Sequence, residues 1–281
     1  MHDDPDPTGP PGTSAATAPL VAMRGITKRF GGVTALEDVD LEARAGEVLA
    51  IVGDNGAGKS TLIKILTGVY RPSAGTMELE GVPLVMNGHS DAIDHGIDAV
   101  YQSLALADHL TPADNLFLGA ELTRSVLGVT FLDNRRMRRE AERVLEERLG
   151  VRLRSMDVPT SSLSGGQRQA VAIARAVYHS NLKVLVMDEP TAALGPRETA
   201  RTLRLIEAVR DQGIAVIVIS HSLDDVMAVS SRIQVMRRGR RVALVNTADV
   251  DAKAVLGLMV GADAPGGAGG PDGTAPTERA A

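Results

Sequence analysis

The sequence predicts an α/β protein with a helical insertion, on three observations. Residues 47–52, 184–187 and 215–219 are short, continuous aliphatic runs, the pattern of strands buried on both faces. A helix-like stretch, residues 197–212, separates the last two, as parallel strands joined by crossovers require. From Leu104 to about Met156 the texture turns mainly helical, so an insertion interrupts the sheet.

Taken in order, residues 1–19 are Asp, Pro, Gly, Thr and Ala, too poor in large apolar side chains to offset chain entropy, and are expected to be a disordered tail. The body runs from 20 to 260. Short β-rich segments fill 20–84 around the run at 47–52, and Gly96 bounds another run at 97–102. Residues 134–149 set Met137, Ala141, Val144, Leu145 and Leu149 on one stripe, a helical period. Residues 261–281 repeat Gly, Pro and Ala and are read as a second disordered tail. There is no internal repeat.

Composition narrows the function. The 281 residues carry 44% apolar side chains, enough for a sizeable core, and a net charge of −5. With no basic excess and only 2% aromatics, neither a phosphate-backbone surface nor a base-stacking platform is expected, so nucleic acid is not a predicted partner. Cysteine is absent, which removes disulfides, thiolate nucleophiles and cysteine-held metals. The apolar runs fall far short of the roughly 20 residues that cross a bilayer, and the acidic, proline-broken start is unlike a secretory signal.

The strongest motif is Gly53-Asp54-Asn55-Gly56-Ala57-Gly58-Lys59-Ser60, which fits G-x-x-x-x-G-K-[ST] between the run at 47–52 and a helix start at Thr61. Glycines let successive N–H groups face one concavity, and the helix N-terminus adds positive potential for phosphate. Lys59 would reach the terminal phosphates of ATP, and the Ser60 hydroxyl would ligate Mg²⁺. A dinucleotide loop fails on spacing, because the third glycine position holds Thr61.

Hydrolysis also needs a metal anchor and a group that orients water. Val184-Leu185-Val186-Met187-Asp188-Glu189 offers both at a strand end: Asp188 towards Mg²⁺ through its water shell, Glu189 towards the attacking water. Leu163-Ser164-Gly165-Gly166-Gln167 then leads into a helix that Ser164 can cap, its glycines leaving the first N–H groups uncovered. This is a second anion site. If Ser164 lies too far from Lys59 within one chain, a head-to-tail dimer would bring the two together.

These three motifs, in order and spacing, resemble the ATP-binding subunits of ABC transporters over about residues 20–260: Gly53–Ser60 their Walker A, 184–189 their Walker B and 163–167 their signature. The resemblance implies a P-loop NTPase core with a mixed sheet, an antiparallel β subdomain and a helical signature-motif subdomain at about 104–180. It implies ATP and Mg²⁺, held by Gly53, Asn55, Gly56, Ala57, Gly58, Lys59, Ser60 and Thr61, with Ser164, Gly165, Gly166 and Gln167 on the facing copy. It gives Gln102 the Mg²⁺-sensing Q-loop role, His221 the γ-phosphate switch beside Glu189, and Phe30 the adenine stack, a core phenylalanine being the alternative. One departure stands out. Thr191-Ala192-Ala193-Leu194 is followed by Gly195 where the D-loop usually has aspartate.

Local residues resemble the monosaccharide importers of that family: Gly53-Asp54-Asn55-Gly56, Leu66-Thr67-Gly68-Val69-Tyr70, Asn115-Leu116-Phe117-Leu118-Gly119 and Ala192-Ala193-Leu194-Gly195. The implied partners are a second ATPase subunit, an integral-membrane permease and an extracytoplasmic sugar-binding protein, with this chain peripheral at the cytoplasmic membrane face. Leu104, Leu106, Leu110 and Leu116 form either a groove for a permease helix or core. The rival classes are a cassette for another cargo, including an exporter, a non-hydrolysing regulatory module, and a soluble non-transport ATPase. Intact Glu189 and His221 oppose the module, and the single cassette without a long coiled coil opposes the soluble ATPase.

Overall fold

A computed structural model describes residues 18–261 apart from 180 and 193. The two tails therefore lie outside the described residues, except for 18, 19 and 261. One sheet runs through the middle of the molecule. Its strands are β3 (Val48–Val52), β6 (Ile97–Val100), β9 (Val184–Asp188), β10 (Ala215–Ile219), β11 (Arg232–Arg237) and β12 (Arg240–Asn246), in the order β12-β11-β3-β10-β9-β6. All neighbours are parallel except the β11–β12 pair.

The aliphatic runs are explained by what covers each face. Along β9, Val184 and Val186 enter one core and Leu185 and Met187 the other; along β10, Ile217 and Ile219 oppose Val216 and Val218. Both faces are dry, so the period-two alternation of a half-exposed strand is absent. The first core is closed by α1 (Lys59–Leu66) and by an antiparallel sheet of β1 (Val21–Phe30), β2 (Val33–Ala43), β4 (Ala74–Leu79) and β5 (Val82–Pro83), ordered β2-β1-β4-β5. The second is closed by α3 (Pro112–Phe117), α4 (Asn134–Arg143), α5 (Gly165–His179) and α6 (Pro196–Arg210). The remaining helices are α2 (His89–Asp94), α7 (Leu223–Val229) and α8 (Ala252–Val260); α7 and α8 cover the β11 flank.

The predicted stripe is buried as expected, Met137 and Ala141 on α4 and Val144, Leu145 and Leu149 beyond it, although 144–148 winds as a π-turn. The mainly helical expectation for 104–156 is corrected in one place. A two-stranded hairpin, β7 (Thr123–Val126) and β8 (Val129–Leu132), stands within it with every residue exposed. Glu47, read as part of a strand, precedes β3. Its carboxylate instead accepts from Arg232 Nη2 at 2.6 Å, both side chains buried, and this pair ties the start of β3 to β11. Among the described residues no helix is long and apolar enough to cross a membrane.

Candidate functional site

The parallel register carries the ends of β3, β10, β9 and β6 to one edge of the sheet, where open α/β sheets bind ligands. Ile219 pairs with Ile51 and with Asp188, and Val100 pairs with Met187. The loop after β3, Glu189 after β9, His221 after β10 and Gln102 after β6 therefore meet along that edge. β10, which leads to His221, lies between the strands that lead to Gly53 and to Asp188.

The loop 53–58 is held from outside. Gly53 sits at φ 151°, and a Cβ there would run into the Met236 carbonyl oxygen; Gly58, at φ 100°, would put one 2.7 Å from Leu36 Cδ2. Helix α1 begins at Lys59, two residues earlier than its predicted start, with Gly58 as N-cap and no side-chain cap. Its first N–H groups thus face the loop's concavity without a competing oxygen from a capping side chain. Lys59 Nζ donates to the loop's own carbonyls, Gly53 at 2.6 Å and Asp54 at 3.0 Å. Burial lowers the Lys59 pKa against the opposing pull of Glu189, Asp188 and Asp54.

Glu189 adopts φ 52°, a left-handed conformation that a non-glycine residue holds only where its surroundings impose it. Its N–H donates to Ile219 O at 2.9 Å, which ties its backbone to the end of β10. The side chain then meets His221, Nδ1 to Oε2 at 2.6 Å. A carboxylate only accepts, so Nδ1 carries the proton and Nε2 stays an acceptor in the neutral ring. Asp188 is half-buried, and desolvation, then Glu189, raises its pKa.

Phe30 is not core. It is 43% exposed and packs edge-on against Tyr70, with centroids 5.3 Å apart. With Val33, Asn55, Gly56, Ala57, Gly58, Lys59, Ser60 and Thr61 it lines one cleft of about 590 Å³. Arg238 and Gly239 of the β11–β12 turn share this cleft; apart from the arginine run itself, no pattern in the sequence marks them. Gln102 is exposed in the turn after β6.

The signature is elsewhere. Ser164 Oγ accepts from Gln167 N–H at 3.4 Å, and Gln167 Oε1 accepts from Ser164 N–H at 3.0 Å, a capping box at the start of α5. Gly165 packs where a Cβ would lie 2.7 Å from Leu194 Cδ2, whereas Gly166 has room for one. Ser164, Gly166 and Gln167 line a separate cavity of about 870 Å³ that shares no residue with the phosphate-loop cleft. Gly195 is the N-cap of α6 at φ −74°, so no backbone strain demands glycine there. Leu116 belongs to the core, and Leu104 and Leu106 pack half-buried against it, so the four leucines do not form a continuous exposed groove. Asn115 is wholly buried and bonds to Ala107 O at 2.9 Å and Thr160 Oγ1 at 3.3 Å.

Residues 36–192, more than half of the chain, match the ABC transporter family. The chain belongs to that family. The fructose import ATP-binding protein FrcA of Rhizobium meliloti is 42% identical to it over 89% of this chain and 97% of that protein. The ribose import ATP-binding protein RbsA of Yersinia pestis is 44% identical over 86% of this chain, which spans only 46% of that longer protein. Among solved structures, the ABC transporter cassette MJ1267 superposes with a TM-score of 0.73 at 27% identity, over 87% of this chain and 98% of that one. CbiO1 of Clostridium perfringens, part of the cbiONQ ABC transporter complex, gives 0.71 at 27% identity over 85% and 93%. The cassette MJ0796, dimeric and bound to ADP and Pi, gives 0.65 at 25% identity over 81% and 98%. An ABC cassette binds and hydrolyses ATP, the activity that a phosphate loop beside a Glu–His pair suits.

Proposed function

We propose that this chain is the ATP-hydrolysing subunit of an ABC importer that powers uptake of a monosaccharide through a separate membrane permease. An extracytoplasmic sugar-binding protein delivers the cargo, and the chain sits peripherally at the cytoplasmic face of the membrane. The supporting observation for the cargo is the 42% identity to a fructose import protein along 97% of that protein's length. The separation of the signature cavity from the phosphate-loop cleft favours two copies arranged head to tail, ATP lying between Lys59 and Ser60 of one and Ser164 and Gly166 of the other.

Mg²⁺ fits the donors present. Ser60, Asp188 and Gln102 offer hard oxygens, and Asp188 is a half-buried carboxylate whose pKa is raised by burial and then by Glu189. Among the described residues no three acidic or imidazole side chains form a metal cage, as suits an ion bound largely through substrate phosphates and water. When bound, the ion neutralises charge on the β- and γ-phosphates.

The chain's own residues do the rest. Lys59 leaves the Gly53 and Asp54 carbonyls for the phosphates. Glu189 takes the proton of the attacking water as its oxygen bonds to the γ-phosphorus and the bridging bond to ADP breaks. His221 fixes the Glu189 carboxylate through Nδ1–H and, in its doubly protonated form, donates from Nε2–H to the γ-phosphate. Phe30, propped by Tyr70, stacks on adenine. ATP closes the pair of subunits and hydrolysis reopens it.

Glu189→Gln is expected to retain ATP, form a nucleotide-dependent dimer on size exclusion, and release phosphate about 10²–10⁴-fold more slowly. Undiminished release would remove Glu189 from the chemistry. For the cargo, the complex reconstituted with its permease is scanned against monosaccharides; ATPase activity indifferent to every sugar would overturn the importer reading.

A further inference from the structure

Four arginines stand at and beside the turn between β11 and β12, and two of them are ion-paired. Arg240 pairs with Glu37 at 2.7 Å, Arg241 pairs with Asp40 at 3.1 Å, and Arg237 lies against Gly261. Arg238 is exposed, and among the described residues no side chain or carbonyl partners it. It nevertheless lines the same cleft as Phe30, Val33, Asn55 and Lys59.

Its placement is enforced. Gly239 N–H donates to Ala57 O of the phosphate loop at 3.1 Å, and Gly239 O accepts from Glu37 N–H at 2.9 Å. The turn is thus bonded to the loop on one side and to β2 on the other. Arg238 itself holds a left-handed φ of 48°. That φ, with Gly239 at 77°, is what the two-residue turn of this hairpin requires, so it is the unspent charge at the mouth of the cleft that points to a ligand.

Charge points to which part of the ligand. Around Lys59 stand the carboxylates of Asp54, Asp188 and Glu189, and the lysine's own pKa is lowered by burial. Nucleotide adds a polyanion to a half-site already crowded with acids. A guanidinium, charged at every working pH and able to grip phosphate with two parallel N–H groups, adds a second fixed cation beside Lys59.

We propose that Arg238 is a nucleotide-binding residue of this chain, contacting the phosphates of the ATP held on its own phosphate loop. The proposal rests on the ATPase reading above. The test is equilibrium binding of ATP and ADP to the full chain, with steady-state phosphate release, for the parent, Arg238→Ala and Arg238→Lys. Arg238→Ala should weaken ATP and ADP alike by about tenfold, the worth of one charge-assisted hydrogen bond. The loss should appear in KM rather than kcat, and Arg238→Lys should recover part of it. ATP binding by Arg238→Ala within twofold of the parent overturns the proposal. Equal losses in both variants with kcat falling too also overturn it, because the turn would then act only by shaping the loop. A parent chain that binds no ATP refutes the ATPase reading instead, which separates the two failures.

Discussion

The phosphate loop and the signature are both glycine-rich turns that open a helix, yet they are built on opposite plans. The loop at 53–58 is clamped by backbone from other strands: a Cβ on Gly53 meets Met236 O, and one on Gly58 meets Ala35 O at 2.9 Å. Its helix has no side-chain cap, and acids stand around its lysine. The signature is satisfied by its own four residues through the Ser164–Gln167 capping box, and Gly166 has free space beside it. The loop's glycines are therefore required by the fold of one chain. The Gly166 position is left open by that fold.

Glycine replacements break this contrast most directly. Gly53→Ala should cost about 2–4 kcal/mol by denaturant unfolding, because strain at φ 151° adds to a backbone clash. Gly166→Ala should leave folding intact and even add up to about 0.5–1 kcal/mol, since alanine suits a helix better, while phosphate release drops. If Gly166→Ala unfolds like Gly53→Ala, the contrast between the two turns is lost.

A pH series sharpens the charged side of the comparison. Burial, then Glu189, holds the Asp188 carboxyl above its ordinary value, so the folded chain keeps that proton to higher pH than the unfolded chain does. Stability then falls as pH rises from the ordinary carboxylate range through the raised value. Asp188→Asn without nucleotide should melt above the parent at pH 7, and the gap should close as pH falls to about 3. A gap that persists at low pH would point to packing rather than charge. The smallest effect belongs to Gly195→Asp, which restores a side-chain cap to α6 and should add a few tenths of a kcal/mol, about the Gly-to-Asp difference at an N-cap, read as a small rise in Tm.

Several elements were legible in the sequence because the information is local. The run at 215–219 reads as a strand because both faces of β10 are dry, and Ser164 with Gln167 three residues on reads as a helix start. The β7–β8 hairpin was not legible. All its residues are exposed, so no apolar alternation marks a buried face, and its turn sets Leu127 at φ 52° before Gly128, so one of its two residues gives no turn signal. Leu104, Leu106, Leu110 and Leu116 were ambiguous for a related reason. Composition cannot say which side of a helix the core will take, and Leu116 went inside.

Contiguous residues alone determined the phosphate-loop pattern, the strand runs and the capped signature helix, because backbone geometry and hydrogen bonding over a few residues suffice to specify each. Only the tertiary structure brought His221 within 2.6 Å of Glu189, set Phe30 at the lip of a cleft rather than in the core, and carried Arg238 to that cleft from the far end of the chain. Strand order and register decide those meetings, and they follow from how whole faces pack together, which no short stretch of sequence contains.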